Sequence, residues 1–217
     1  MVTGMDVTKL EHACLVIRQG GPGLVIDPGS FTRLVEAEDV VAVVVTHEHP
    51  DHVTPRQLRR ILARNPGALV FGPAGVAALL AEQAPEIAVD VVTHGDTRTV
   101  GPFSLAFRGV THAVIHSSVP VIDNTGVIVD DVLFYPGDAL TDPGQPVPVL
   151  ATPVGAPWLK ISEVMDYVAA IAPARTFPVH EATLSEAGFA MHADRIAAMT
   201  RPTGEATVLR AGDTMHV

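Results

Sequence analysis

The chain has 217 residues, 47% of them hydrophobic, and a formal net charge of −10. This length and composition suit one compact domain over residues 1–217 and exclude a largely disordered chain. No apolar run reaches the 18 residues that a membrane-spanning helix needs, and 14 Lys and Arg stand against 24 Asp and Glu. We therefore expect neither a membrane nor a nucleic acid as partner.

The single cysteine, Cys14, cannot form an internal disulfide, and its apolar neighbours place it in the predicted core. The first ten residues lack the basic and apolar segments of a secretory signal. Both observations favour a cytoplasmic protein.

The chain opens with two predicted strands, over residues 5–10 and 13–18, and a third over 24–26. The third strand runs into Asp27-Pro28-Gly29, a turn sequence in which proline presets φ. Asp27 could simply cap this turn, or it could orient a histidine that binds a metal. The sequence leaves both roles open.

A dense polar motif follows the next predicted strand, residues 40–45. The motif is Thr46-His47-Glu48-His49-Pro50-Asp51-His52, so three of the ten histidines fall within six residues. A His-x-His pair on extended backbone points both rings to the same side, and histidine is the commonest metal ligand. We therefore predict a metal site built from His47, His49, Asp51 and His52.

The motif leads into alternating helices and strands. Thr54 to Gln57 has the pattern of a capping box, and the helix it starts ends near Asn65. A strand over 68–71, a helix over 75–83 and a strand over 87–92 complete an α/β pattern. The helix-spaced arginines are typical of a solvated helix face: Arg56, Arg59, Arg60 and Arg64.

The second half of the chain starts with two long predicted strands, 100–110 and 126–135, in an antiparallel meander. A short strand over 147–151, a helix over 160–172, a strand over 175–179, a helix over 192–200 and strands over 207–210 and 214–217 follow. Because each half mixes strands with helices, we expect an α/β fold with two mixed sheets packed face to face and helices outside.

Further ligand-type residues follow other apolar runs: His112, Asp138 and His180. His116 competes with His112, and we favour His112 because it lies nearer the strand end. His116 could then contact substrate, act as a leaving-group acid, or be a loop histidine. His12, His94, His192 and His216 lie outside any cluster and are expected to be structural or surface histidines. Trp158 could pack in the core or line a substrate pocket.

The order of these residues resembles a known family. His-x-His-x-Asp-His, the first motif of metallo-β-lactamase-fold hydrolases, is matched in full by His47, His49, Asp51 and His52. The later motifs of that family are matched in order by His112, Gly137-Asp138 and His180. The chain is most similar to the branch of ascorbate-6-phosphate lactonase-like proteins.

The resemblance implies an αββα sandwich that holds two divalent metal ions. One ion would be bound by His47, His49 and His112, the other by Asp51, His52 and His180, with Asp138 bridging both. Nitrogen and oxygen ligands suit zinc, with manganese or iron as alternatives. A water between the ions would be the nucleophile, and Asp51 could also accept its proton.

These features favour a binuclear hydrolase that cleaves a small-molecule ester or lactone. A phosphodiesterase or nuclease of the same fold is the competing enzyme, and a metal-dependent binding protein without turnover is the alternative of another class. We find no clear recognition set for a sugar phosphate, although Arg33, Lys160 and Arg175 could reach a pocket. The sequence leaves open whether the chain forms a homo-oligomer.

Overall fold

The computed structural model describes residues 4–217. This part of the chain contains fourteen strands and four helices. The first half contains β1 (Met5–Lys9), β2 (Leu15–Gln19), β3 (Gly23–Ile26), β4 (Val40–Val44), α1 (Pro55–Arg64), β5 (Leu69–Gly72), α2 (Ala74–Gln83), β6 (Asp90–Val91), β7 (Thr97–Val100) and β8 (Phe103–Arg108). The second half contains β9 (Gly126–Val129), β10 (Leu133–Tyr135), β11 (Val149–Pro153), α3 (Ile161–Ile171), β12 (Arg175–Val179), α4 (Glu186–Thr200), β13 (Glu205–Ala206) and β14 (Thr214–His216).

The strands form two mixed sheets of seven strands each within the described residues. The first sheet has the order β14-β1-β2-β3-β4-β5-β6, and the second has the order β13-β12-β11-β10-β9-β8-β7. Strands β3 to β6 are parallel to one another, as are β10 to β13, while the remaining neighbours are antiparallel. Each sheet therefore has a parallel part whose carboxyl ends can carry a site.

Three apolar layers show how the sheets and helices pack. In β4, Ala42 and Val44 belong to the cluster between the two sheets, whereas Val43 packs with α1 and α2 on the outer face. The second sheet repeats this arrangement, with Phe177 facing inward and Leu150 packed with α3 and α4. The alternation of side chains along a strand thus produces helix, sheet, sheet and helix layers, which confirms the predicted αββα sandwich.

Several predicted boundaries are wrong because tight turns interrupt long apolar stretches. The stretch 100–110 is split by the turn at 101–102, and the stretch 126–135 is split by the turn at 130–132. The last helix starts at residue 186, where the Ser185 hydroxyl accepts a hydrogen bond from the Gly188 N–H and caps it. The strand predicted over 207–210 is absent from the described chain, and residues 205–206 pair instead.

The capping box is only half formed. The Thr54 hydroxyl accepts from the Gln57 N–H, as predicted, but the Gln57 side chain turns away from the helix. It donates to the carbonyls of Gly29, Thr32 and Arg33. Gln57 therefore fastens the loop over residues 29–35 instead of the helix start.

Cys14 is fully buried among the apolar residues of the first sheet, as predicted. No helix within residues 4–217 is long and apolar enough to cross a membrane.

Candidate metal centre

The predicted ligands converge at the carboxyl ends of strands from both sheets. His47 follows β4, Asp138 follows β10 and His180 follows β12. Because β4 and β12 belong to different sheets, the site lies across the edge of the sandwich.

The ligand-type atoms fall into three overlapping groups, within each of which they lie no more than 4.8 Å apart. The first group contains His47, His49 and His112. The second contains His12, Asp51, His52 and His180. The third, which connects the first two, contains His47, His52 and Asp138.

His112 and His116, which competed for one position in the sequence, lie in different surroundings. The ring of His112 is buried, and its centroid lies 4.9 Å from the ring of His47 and 4.8 Å from that of His49. His116 is exposed, and its Nδ1 is hydrogen-bonded to Ser118. The geometry therefore brings His112 into the first group and leaves His116 outside all three.

The buried carboxylate of Asp27 fixes the tautomers of two histidines. The Thr46 hydroxyl donates to Asp27 Oδ2 over 2.7 Å, so its oxygen accepts from His47 Nδ1, 3.0 Å away. His52 Nδ1 donates to the same carboxylate oxygen over 2.7 Å. When the two rings are neutral, as metal binding requires, their Nε2 atoms carry no proton. Asp27 thus orients two of the candidate metal ligands, which agrees with the second of the two roles that the sequence left open.

Main-chain carbonyls orient the rings of two more histidines. His112 Nδ1 donates to the carbonyl of Ala113 over 2.6 Å, and His180 Nδ1 donates to the carbonyl of Gly155. His180 Nε2 lies 3.1 Å from His52 Nε2. Imidazole nitrogens bound to one tetrahedral zinc would be roughly 3.3 Å apart, so this spacing suits a shared ion.

Buried polar atoms without hydrogen bonds point to the same conclusion. His112 Nε2 and Asp138 Oδ1 are buried and have no hydrogen-bond partner within the described residues. Asp138 Oδ2 lies 3.4 Å from His112 Nε2 and 3.2 Å from His180 Nε2. A buried polar atom that lacks a partner is costly, and a cation between these atoms would satisfy them. The residues present therefore fit divalent metal.

The charges of the cluster shift its pKa values strongly. Burial disfavours the charged form of Asp138, but His52 and His180 outweigh burial and hold the pKa of that carboxyl well below its usual range. Burial lowers the pKa of His180, yet Asp138 and Asp51 raise it to about 9. The carboxylates thus stay ionised and attract positive charge, from protons or from metal ions.

Asp138 is positioned by its neighbour Gly137 and by residues from two other segments. Gly137, at φ +66°, allows the turn into Asp138, and a Cβ there would lie 2.4 Å from Asn124 Oδ1. That amide oxygen accepts from the Asp138 N–H over 3.0 Å. Trp158 Nε1 donates to Asp138 Oδ2 over 2.9 Å. The sequence indicated a pocket wall as one role for Trp158 but not this hydrogen bond.

His12 is the functional-site residue that the sequence analysis missed. It was expected to be a structural or surface histidine outside any cluster, but it is buried, and its ring lies 3.9 Å from that of His180. His12 Nδ1 accepts from the Ala182 N–H, so Nε2 carries the proton and donates to Asp51 Oδ2 over 3.2 Å. Burial keeps the pKa of His12 below its ordinary value, in agreement with a neutral ring. A lone histidine in the β1–β2 turn carries no sequence signal, because only the fold brings this turn to the site.

Backbone strain is concentrated at the same place. His12, Asp27 and His180 are three of the seven non-glycine residues with positive φ in the described chain, at +58°, +47° and +64°. Such conformations cost about 1–3 kcal/mol each and persist where the surrounding structure enforces them. The His180 N–H donates to the His12 carbonyl over 3.0 Å, so these two strained segments also support each other.

A cavity of about 300 Å³ opens onto the cluster. Its lining combines five of the candidate metal ligands with apolar walls: Phe31, His49, Asp51, His112, Ile115, Asp138, Pro157, Trp158 and His180, with Ser30, Pro50 and Thr183. Trp158 therefore contacts both the cavity and a carboxylate of the cluster.

The remaining sequence candidates lie away from this cavity. Arg33 pairs with Glu11, and Arg175 donates to the carbonyl of His216. Lys160 is exposed at the start of α3.

The other histidines have structural contacts: His94 accepts from Gly109, His192 donates to Val154, and His216 pairs with Asp6.

Comparison with known families agrees with this arrangement. The model of a family described as "Beta-lactamase superfamily domain" matches residues 6–180, from β1 to His180. The chain belongs to the beta-lactamase superfamily. Protein Rv0786c of Mycobacterium tuberculosis is 40% identical over 202 residues, which cover 90% of this chain and 93% of that protein. The hydroxyacylglutathione hydrolase of Xylella fastidiosa strain M12 is 26% identical over 198 residues, which cover 89% of this chain and 68% of that enzyme.

Comparison with solved structures shows that the fold is shared. Igni18, a metallo hydrolase from Ignicoccus hospitalis, superposes with a TM-score of 0.75 and covers 99% of both chains at 18% identity. This match confirms the metallo-β-lactamase fold expected from the sequence. The narrower resemblance to ascorbate-6-phosphate lactonase-like proteins stays a prediction.

Proposed function

We propose that the protein is a binuclear metal-dependent hydrolase that cleaves a small ester or lactone. The observation that carries the proposal is the convergence of imidazole nitrogens and ionised carboxylates, two of whose buried atoms have no hydrogen-bond partner among the described residues. Such a donor set of nitrogen and oxygen atoms without thiolate suits zinc, with manganese or iron as alternatives.

The three overlapping groups support two neighbouring ions. In this proposal His47, His49 and His112 hold one ion, Asp51, His52 and His180 hold the other, and Asp138 contacts both. A pair of divalent ions supplies a nucleophilic water at neutral pH and polarises a carbonyl oxygen.

The chain's own residues then prepare the reaction. Asp27 holds Nε2 of His52 toward the centre, and His12 holds Asp51. Trp158 and Phe31 wall the cavity, which orients the acyl group and limits access of bulk water. In hydrolysis the water oxygen bonds to the carbonyl carbon, the acyl C–O bond breaks, and the alcohol leaves with a proton. Proton acceptance by Asp51 and a leaving-group role for His116 stay predictions.

The relatives support hydrolysis as the reaction class. The Xylella enzyme is by its name a hydrolase of an acyl compound, and the Ignicoccus protein is a metallo hydrolase. Ester or lactone specificity follows from neither name and belongs to this proposal alone.

A phosphodiesterase or nuclease is the alternative enzyme. Three arginines of the α1 face are paired with surface carboxylates, Arg59 with Glu86, Arg60 with Glu36 and Arg64 with Glu38. Because these pairs neutralise arginines of the α1 face, they disfavour binding of a polyanion to that face.

A hydrolysis panel tests the proposal. The protein is loaded with zinc, manganese or iron(II) and assayed with lactones, aryl esters and bis-p-nitrophenyl phosphate. We expect turnover of an ester or a lactone that requires metal. Cleavage of the phosphodiester alone would favour the alternative enzyme, and bound metal without turnover of any compound would favour a binding protein.

A further inference from the structure

The walls of the site cavity indicate a substrate class. We infer that the substrate carries an uncharged, apolar group beside the bond to be cleaved, and this inference rests on the proposed function. It starts from the contrast between the floor of the cavity, which consists of imidazoles and carboxylates, and its walls, which are apolar.

Four apolar side chains from three segments line the walls. Phe31 belongs to the loop after β3, Ile115 to the loop after β8, and Pro157 and Trp158 to the segment before α3. Phe31 is 51% exposed, although a large apolar side chain in water is unfavourable. An apolar ligand that covers Phe31 would remove this surface from water.

The loop that carries Phe31 is held in place rather than free. Gln57 donates to three carbonyls of this loop and accepts from the Val35 N–H. The Phe31 ring also packs edge-on against His12, with centroids 5.0 Å apart. Phe31 therefore forms part of a preformed apolar wall. Such preorganisation favours binding because little conformational entropy is lost when the ligand binds.

No lysine or arginine lines this cavity among residues 4–217. A neighbouring cavity of about 390 Å³ does contain Arg33 and Arg56, but it shares only Ser30 with the site cavity. Arg33 is already paired with Glu11. In the proposed reaction the bond to be cleaved occupies the metal ions. A phosphate or carboxylate placed against Phe31 and Trp158 would therefore lose its hydration without a lysine or arginine partner, which is costly.

The cavity volume of about 300 Å³ lies at the lower end for small-molecule sites. The inferred substrate is therefore a small neutral ester or lactone with an aliphatic or aromatic group. The phosphorylated sugar lactone suggested by the sequence resemblance does not have this chemistry.

Two esters with acyl chains of equal length test the charge preference of the metal-loaded protein. p-Nitrophenyl hexanoate and the p-nitrophenyl monoester of adipic acid have acyl chains of the same length, and only the second ends in a carboxylate. We expect kcat/KM to be at least 10-fold higher for the hexanoate. Equal or faster turnover of the adipate ester would overturn the inferred substrate class while leaving the hydrolase proposal intact.

A binding experiment distinguishes an error in the inferred substrate class from an error in the proposed reaction. Trp158 is the single tryptophan of the chain, so its fluorescence reports occupancy of the cavity. Hexananilide and adipic acid monoanilide are the amide counterparts of the two esters. If neither ester is hydrolysed, the proposed reaction is wrong, and quenching by hexananilide alone would still support an apolar ligand. Equal quenching by both anilides, or quenching by neither, would contradict the inferred preference for an apolar ligand.

Two substitutions of Phe31 test its role in substrate recognition: one introduces a positive charge, and the other keeps the side chain apolar. Phe31→Lys should reduce the preference for the hexanoate at least 10-fold by pairing with the adipate carboxylate, whereas Phe31→Leu should retain it. Because Phe31 is largely exposed, both variants should fold normally, which circular dichroism checks. An unchanged preference in Phe31→Lys would exclude this wall from substrate recognition and overturn the inference.

Discussion

His12 donates a hydrogen bond from Nε2 to Oδ2 of Asp51, and this contact joins the β1–β2 turn to the histidine-rich motif 39 residues later. The Ala182 N–H fixes the opposite ring nitrogen, so the donor is always aimed at the carboxylate. We interpret His12 as a positioning residue for the second metal, since a partner of this kind orients a ligand without binding the ion itself.

Replacing His12 should weaken the second metal site without abolishing the first. His12→Leu removes the donor and should lower the affinity for the second ion about 10–100-fold. His12→Gln keeps an N–H at a similar reach and should restore most of this affinity. Zinc titration followed by calorimetry measures both sites, and equal losses in the two variants would contradict a role that depends on the hydrogen bond.

The indole of Trp158 should act on Asp138 as well as on substrate. Trp158→Phe keeps the aromatic wall but removes the N–H that donates to Asp138 Oδ2. We expect about 10-fold weaker metal binding with little change in the free energy of unfolding of the metal-free protein. Competition with a chromogenic zinc chelator measures the affinity. Wild-type affinity in this variant would assign Trp158 to the cavity wall alone.

Gly29 should be intolerant of any side chain. A Cβ at this position would lie 1.8 Å from the Asp51 carbonyl oxygen, so alanine forces the motif away from the turn after β3. Gly29→Ala should therefore displace Asp51 and cost at least about 2 kcal/mol of stability. Gly67→Ala is the matched control because nothing lies within 4 Å of its Cβ. Urea unfolding of both variants checks this prediction.

Protons and metal ions should compete for the cluster. The pKa of His180 is raised to about 9 in the folded metal-free protein, above its ordinary value of 6.5. A raised histidine pKa contributes stability that is fully present below pH 6.5 and is lost as pH rises through 9. Between these values the metal-free protein should lose on the order of 2 kcal/mol, and zinc should restore it.

Urea unfolding with a chelator at pH 6.5, 7.5 and 9 measures this loss. The zinc-loaded protein at the same pH values is the control. A metal-free protein whose stability rises over this range would contradict protonation of the cluster.

The layers and the main ligand candidates were predictable because their signals are local. The run before His47 alternates between two apolar layers, and the motif follows the strand end directly. Helix 186–200 was predicted too short because the residues after its cap, Ser185, have little apolar periodicity.

The supporting residues were not predictable because they depend on contacts between distant segments. His12 reaches Asp51 only after β1 and β2 pair, and Asn124 reaches the Asp138 turn only after the second sheet forms. Asp27 was ambiguous for the same reason, since its contacts with Thr46 and His52 cross neighbouring strands. Sequence patterns therefore identify atoms that could bind metal, whereas the fold decides which residues hold them.

The metal content of the purified protein tests the central claim most directly. Mass spectrometry under native conditions and elemental analysis should find two transition-metal ions per chain. His49→Ala and Asp138→Ala should each lower this number and abolish metal-dependent turnover. A wild-type protein that binds no metal at saturating zinc, or turnover unaffected by both substitutions, would contradict the binuclear centre.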